Sequence, residues 1–121
     1  LVGFEANDTL KDMDYLAQKV INLRIFEDEL KKMNLNVKQV DGKILSVSQF
    51  TLAADTRKGN RPSFIEAMEP QQASDWFNRF NEILRSYEVE VETGIFQAEM
   101  NVETENQGPV TILLESKGRI K

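Results

Sequence analysis

The sequence predicts an α+β fold: a mainly antiparallel β-sheet with two helices packed on one face. Two observations carry this. Apolar residues recur at three- and four-residue spacing in two stretches, near 10–24 and 70–87. Elsewhere short runs alternate apolar with polar residues and are separated by turn formers, as strands do. The chain has 121 residues, 40% hydrophobic and 29% charged, which is ordinary for one soluble domain. No internal repeat, linker or low-complexity stretch divides it. A chain this short buries a limited share of its surface, so oligomerisation would help it.

Leu1-Val2-Gly3-Phe4 reads as the end of a strand already under way. Thr9 and Asp12 form a capping-box pattern, with Asp in place of the usual Glu or Gln. Met13, Leu16, Ala17, Val20 and Leu23 then place a helix over about 10–24. Ile25-Phe26 ends it or begins a short strand, and Glu27 to Lys32 reads as a charged turn. Met33, Leu35 and Val37 alternate with polar residues and predict an extended segment. Asp41-Gly42 is a hairpin signal, and Ile44 to Leu52 is expected as the next strand. Residues 53–64 form a long loop, a length at which ordered loops are often functional. Pro70 suits the first turn of a second helix reaching about Tyr87. Trp76, Phe77, Phe80, Ile83 and Leu84 make its core-facing stripe. Strands are expected at Val89–Thr93, at Phe96–Val102 after a break at Gly94, and at Val110–Leu114. Gly118 to Lys121 reads as a polar tail.

Composition narrows the chemistry. The chain has no Cys and no His. A Ser-His-Asp triad, a thiolate nucleophile, a disulfide and His- or Cys-ligated metal are therefore impossible within it. Proton transfer must use carboxylates, Lys, Tyr, the substrate or water. The absence of Cys agrees with a reducing cytoplasm. A net charge of −5 argues against broad nucleic-acid binding. Arg57, Lys58 and Arg61 nevertheless cluster in the long loop, either as a solvated basic surface or as a contact for a few phosphates. No apolar run reaches the roughly 18–20 residues that span a bilayer, so no membrane partner is expected.

Two blocks mix small hydroxyl, amide, Gly and Pro residues with a strand pattern, which a plain core strand does not need. In Ser48-Gln49-Phe50-Thr51, alternation would send Gln49 and Thr51 to one face, where they could orient a polar ligand. Free backbone N–H groups where the strand meets the loop could form an oxyanion hole. Ser and Thr also simply suit strands. In Asn106-Gln107-Gly108-Pro109, the proline marks a strand start or edge. A cis Gly-Pro bond could aim two carbonyl oxygens at a ligand ammonium; a plain turn before a strand is the alternative.

Ser48 to Leu52, Asp55 to Phe64 and Asn106 to Thr111 together resemble D-aminoacyl-tRNA deacylase, also called D-tyrosyl-tRNA deacylase. Asp14 to Ala17, Leu23 to Asp28, Lys32 to Leu35 and Val91 to Gly94 match it too, so the resemblance spans the chain. It implies hydrolysis of the ester joining a D-amino acid, or mischarged glycine, to the 3′-terminal adenosine of tRNA, with L-aminoacyl esters rejected. It implies a cytoplasmic homodimer, barrel-like in the dimer, with active sites at the interface and no cofactor. By the same resemblance, Gly108 and Pro109 of one subunit bind the substrate ammonium in the pocket of the other, with Val110, Thr111, Ala98 and Met100 also at the substrate. Ser48, Gln49, Phe50 and Thr51 line the ester, water is the nucleophile, and the adenosine 2′-OH assists. Arg57, Lys58 and Arg61 are expected to touch the tRNA 3′ end. Residues 1–121 are expected to form a single deacylase domain that lacks the family's N-terminal strand segment with its Gln-Arg pair. The alternative is a non-catalytic homodimer of the same fold that binds nucleic-acid ends.

Overall fold

A computed structural model describes residues 1–117; the expected tail from Gly118 to Lys121 lies outside the described residues. The order of elements is helix α1 (Leu10–Asn22), strands β1 (Phe26–Glu27), β2 (Met33–Leu35) and β3 (Lys43–Ser46), a 3-10 turn (Phe50–Ala53), helix α2 (Pro70–Ser86) and strand β4 (Glu90–Thr93). The α+β class stands. The helices begin where their signals lie. Thr9 Oγ1 accepts from the Asp12 N–H while the Asp12 carboxylate accepts from the Thr9 N–H, closing the capping box. At α2, Pro70 occupies the first turn, and the Glu69 carboxylate accepts from the Gln71 and Gln72 N–H groups.

The two helices pack together over one core. Met13, Ala17 and Ile21 of α1 meet Phe77, Phe80 and Leu84 of α2, with Val91 of β4 beneath. Phe4 stands edge-on to Trp76 (ring centroids 5.9 Å apart) and to Phe80 (6.5 Å), which ties the N-terminal segment to α2. Full burial of a side chain such as Phe77 stabilises by about 1.5–3 kcal/mol, so this stripe dominates the core.

The sheet differs from the expectation. It is not mainly antiparallel. β1 and β2 form a small antiparallel pair, and β3 runs parallel to β4 with Lys43 opposite Glu90 and Ser46 opposite Thr93. α2 is the crossover that parallel neighbours require. Alternation alone could not reveal this, because it carries no direction. Asp41-Gly42 does turn the chain, with Asp41 at φ 55° and the Gly42 N–H donating to the Val37 carbonyl at 2.8 Å. It makes no hairpin, since β2 pairs with β1 and β3 with β4.

Three expected strands are shortened or missing. β3 ends at Ser46 because residue 2 then competes for its backbone. The Val2 N–H donates to the Val47 carbonyl at 2.9 Å, and the Gln49 N–H donates to the Val2 carbonyl at 2.7 Å. Beyond Gln49 the chain curls into the 3-10 turn. The expected strand over 96–102 is replaced by a turn in which the Ala98 N–H donates to the Ile95 carbonyl and Gln97 takes φ 61°. Met100 folds over Gly94 so closely that a Cβ there would lie 2.7 Å from its sulfur. Residues 110–114 have no regular secondary structure and join no ladder in the described chain.

Candidate functional site

The N-terminal segment lies between two parts of the chain that are distant in sequence. On one side Val2 bonds the 47–49 segment. On the other, the Met68 N–H donates to the Phe4 carbonyl at 3.0 Å and the Ala6 N–H to the Glu66 carbonyl at 2.9 Å. This junction floors a cavity of about 680 Å3 lined by Gly3, Phe4, Ser48, Gln49, Phe50, Phe64, Met68, Glu69, Phe96, Gln97, Ala98 and Met100, among others. Gly3 is required there. A Cβ on it would fall 2.9 Å from the Gln49 carbonyl oxygen and 3.0 Å from Leu52 Cβ, so only glycine lets the segment approach the turn.

Ser48, Gln49 and Phe50 thus share one cavity with Ala98 and Met100. The reason is not the one expected. Residues 50–53 are a 3-10 turn, so strand alternation does not apply to Gln49 and Thr51. Their side chains still meet, with Gln49 Nε2 donating to Thr51 Oγ1 at 2.6 Å. The first N–H groups of such a turn have no acceptor within it, which leaves those of Phe50 and Thr51 for a ligand oxygen. Thr51 itself is exposed and outside the cavity lining.

Gly108, Pro109, Val110 and Thr111 do not line this cavity. They form an exposed turn with a cis Gly108–Pro109 bond and Gly108 at φ 128°. Asn106 braces the turn from within. Its Oδ1 accepts from the Val110 N–H at 2.9 Å, and its Nδ2 donates to Thr111 Oγ1 at 3.1 Å. The sequence alone places Asn106 in the motif without giving it this task. An Asn a few residues before a Gly-Pro turn is a signal for it, since its side chain can bond the backbone downstream.

The basic loop is closed at its base by two backbone hydrogen bonds between Asp55 and Ser63, at 2.8 and 2.9 Å. Within it, Arg57 is engaged: its Nε and one terminal nitrogen bind the two Asp55 oxygens at 2.9 and 2.7 Å. This fork, with the Arg57 N–H, pulls the Asp55 carboxyl down from 3.8 to about 2. Lys58 and Arg61 are exposed and form no ion pair among the described residues. Phe64, at the loop's end, stands edge-on to Phe50 with centroids 5.1 Å apart, so the loop and the 3-10 turn are joined by that ring pair.

Sequence patterns do not assign Phe4, Phe96, Gln97 or Glu69 to the cavity. Among the described residues Glu69 is the one ionisable side chain lining it, and its carboxyl is held below the usual range by the Gln71 and Gln72 N–H groups at the head of α2. No periodic signal separates such wall residues from core. They are gathered by the return of residues 94–102 over the N-terminal segment.

Comparison with known proteins agrees with this architecture. A solved structure described as c-Myc DNA Unwinding Element Binding Protein is similar at 42% identity, with a TM-score of 0.88 over 94% of this chain and 78% of that one. A second, described as a probable eukaryotic D-amino acid tRNA deacylase, shares the fold at 17% identity and a TM-score of 0.59, over 69% of this chain and 50% of that one. No helix among the described residues is long and apolar enough to cross a membrane. The family model for D-Tyr-tRNA(Tyr) deacylase matches residues 1–115, and the chain belongs to that family, hydrolases that act on D-aminoacyl-tRNA.

Proposed function

We propose that the cavity is one half of a deacylation site and that the Gly108–Pro109 turn of a second subunit completes it. One observation carries this reading. The two motif blocks that should meet at the substrate are apart in one chain, and the turn is exposed rather than directed into its own cavity. Exposed apolar residues support a covered face: Leu45, Met100, Val102, Ile112 and Leu113 are all at least a third accessible. In the homodimer, the sheet edges left open in each protomer close into a barrel-like assembly.

In the completed site the terminal aminoacyl ester lies in the cavity. The Phe50 N–H group stabilises the oxyanion that forms as water attacks the ester carbonyl. Gln49, oriented by Thr51, bonds the ester or its ribose. The carbonyls of the partner subunit's Gly108 and Pro109 accept from the substrate ammonium and leave no space for an L side chain. With no His in the chain, proton transfer falls to water and the ribose 2′-OH. Lys58 and Arg61 meet phosphates of the 3′ end, while Arg57 shapes their loop. The cytoplasm is the compartment that holds this substrate.

The decisive experiment compares hydrolysis of D-Tyr-tRNA, L-Tyr-tRNA and Gly-tRNA, with light scattering on the same sample. Hydrolysis of the D and glycyl esters by a dimer, with L-Tyr-tRNA spared, is expected. Equal rates on D and L esters, or full activity from a monomer, would overturn the reading. Tight binding of nucleic-acid ends without hydrolysis would instead favour the non-catalytic alternative.

A further inference from the structure

A second groove, of about 470 Å3, runs along the C-terminal half of α1 and just beyond it. It is lined by Tyr15, Gln18, Lys19, Asn22, Leu23 and Arg24. Like the 57–61 loop, it carries unpaired cations, here beside an aromatic ring. In a chain of net charge −5 it presents two cations, Lys19 and Arg24, neither in an ion pair among the described residues. Lys19 Nζ sits 5.6 Å from the centroid of the Tyr15 ring, which is 48% exposed. Arg24 Nε donates to the Asn34 carbonyl at 3.0 Å, which fixes the guanidinium stem and leaves its terminal nitrogens to other acceptors. The neighbouring carboxylate, Asp28, accepts from the Lys32 N–H, the Leu30 N–H and Asn34 Nδ2, and the Arg24 charge also helps to hold it below its usual range. The turn carries exposed Lys31 and Lys32 alongside exposed Glu27 and Glu29. Compensation of the helix C-terminus would account for Lys19, but not for Arg24 or for the aromatic ring beside Lys19.

We infer that the Tyr15–Lys19–Arg24 groove is a second RNA site that grips phosphodiester groups of the tRNA acceptor end beyond the terminal nucleotides. The inference rests on tRNA being the substrate. A cavity of about 680 Å3 takes the aminoacyl-adenosine and little more, so the remaining RNA must lie along the surface. The groove follows α1 from Tyr15, about 8 Å along the helix from Leu10, to Arg24 just beyond its C-terminal end. A fixed guanidinium, a second cation, amide groups and an aromatic ring suit a phosphate backbone.

The test uses the full-length dimer and two substrates: D-Tyr-tRNA and the D-tyrosyl ester of a CCA trinucleotide. Lys19→Glu and Arg24→Gln are made singly and together, with Tyr15→Leu as a third change. The ratio of kcat/KM on tRNA to that on the trinucleotide should fall on the order of tenfold in the double variant. The log–log salt slope for tRNA should flatten by about 0.7–0.9 for each phosphate that is no longer neutralised. An unchanged ratio and slope would overturn the inference. Arg24→Gln could loosen the β1–β2 hairpin, and Lys19→Glu, fully on the surface, decides the matter alone in that case. Binding of uncharged tRNA is measured alongside by anisotropy. If the wild-type protein hydrolyses neither ester, the deacylase reading fails by itself, and loss of tRNA affinity in Lys19→Glu still supports or, if absent, overturns the groove.

Discussion

The cavity half and the Gly108–Pro109 half of the proposed site are built in opposite ways. The cavity half is woven from three chain segments by backbone bonds: residues 2–6 bond the 47–49 segment on one side and the 66–68 segment on the other. It rests on Phe4, Trp76 and Phe80. The Gly108–Pro109 half rests on one side chain, Asn106, and on chain that joins no ladder. The first is a finished wall. The second is an exposed turn outside the cavity. In the proposed homodimer, the fold of one chain would pre-organise the donors, and assembly would position the element that selects the substrate's handedness.

The largest effect should come from the projecting half. Gly108 holds φ 128°, which an L residue with a Cβ rarely adopts, and that Cβ would lie 2.8 Å from Val110 Cγ2. Gly108→Ala is expected to reduce kcat/KM on D-Tyr-tRNA by about 100-fold, the scale of a misplaced reacting group, while the thermal midpoint of the protomer core changes little. Loss of activity in proportion to loss of fold would break the contrast between the halves.

Asn106→Ala should have the next effect. It removes two hydrogen bonds from the turn and nothing from the cavity wall. At about 1 kcal/mol each, the expected loss is about 30-fold. The comparison sharpens if the loss falls on discrimination between D-Tyr-tRNA and L-Tyr-tRNA as well as on rate. Asn106→Asp keeps the acceptor for Val110 and should recover part of the loss. Equal activity of Asn106→Ala and wild type would show that the partner, rather than Asn106, shapes the turn.

Thr51→Ala tests the cavity half. Thr51 Oγ1 accepts from Gln49 Nε2, so its removal frees the Gln49 amide without touching the backbone donors. A loss of about tenfold or less is expected, with Thr51→Ser near wild type. Were Thr51 a nucleophile, Thr51→Ala would remove most of the rate, and a mass spectrum of the quenched reaction would show an acyl adduct on Thr51.

The same contrast explains what could be read from the sequence. Both helices, the Thr9–Asp12 capping box, the Pro70 start and the aromatic stripe of α2 were legible, because helical periodicity and capping chemistry are local. The strands were legible only in part: Met33–Leu35 and Glu90–Thr93 lie where alternation put them, but sheet direction and the other strands do not. Ile44 to Leu52 has one alternating pattern but two fates, strand to Ser46 and 3-10 turn from Phe50, and the deciding partner is Val2, far away in sequence. The apolar residues of 96–102 and 110–114 imitate half-buried strands, although in the single chain they line a cavity or stand exposed. An apolar residue awaiting a second subunit has the same pattern as one facing a core. The 48–52 block falls on the cavity and the 106–111 block does not, and the proposed homodimer is what would bring them together.

The smallest effect separates the halves by pH. The turn from Asn106 to Thr111 contains no ionisable side chain, so acid should leave its bonds alone. The basic loop flanking the cavity depends on Asp55. Its carboxyl sits at about 2 rather than 3.8 because Arg57 grips the charged form. A depressed pKa in the folded state means that the ionised form is the one favoured by folding. The stabilisation is therefore complete above about pH 4, falls as pH drops from 3.8 toward 2, and is gone below that. The carboxyl carbon shift of Asp55 in NMR should accordingly titrate near 2, and in Arg57→Ala it should move back toward 3.8. At neutral pH the Arg57→Ala loop should lose order and D-Tyr-tRNA affinity only modestly, since exposed pairs contribute little. An ordinary Asp55 titration in the wild-type protein would mean that Arg57 is free in solution, and all three cations of the loop would then be available to phosphate.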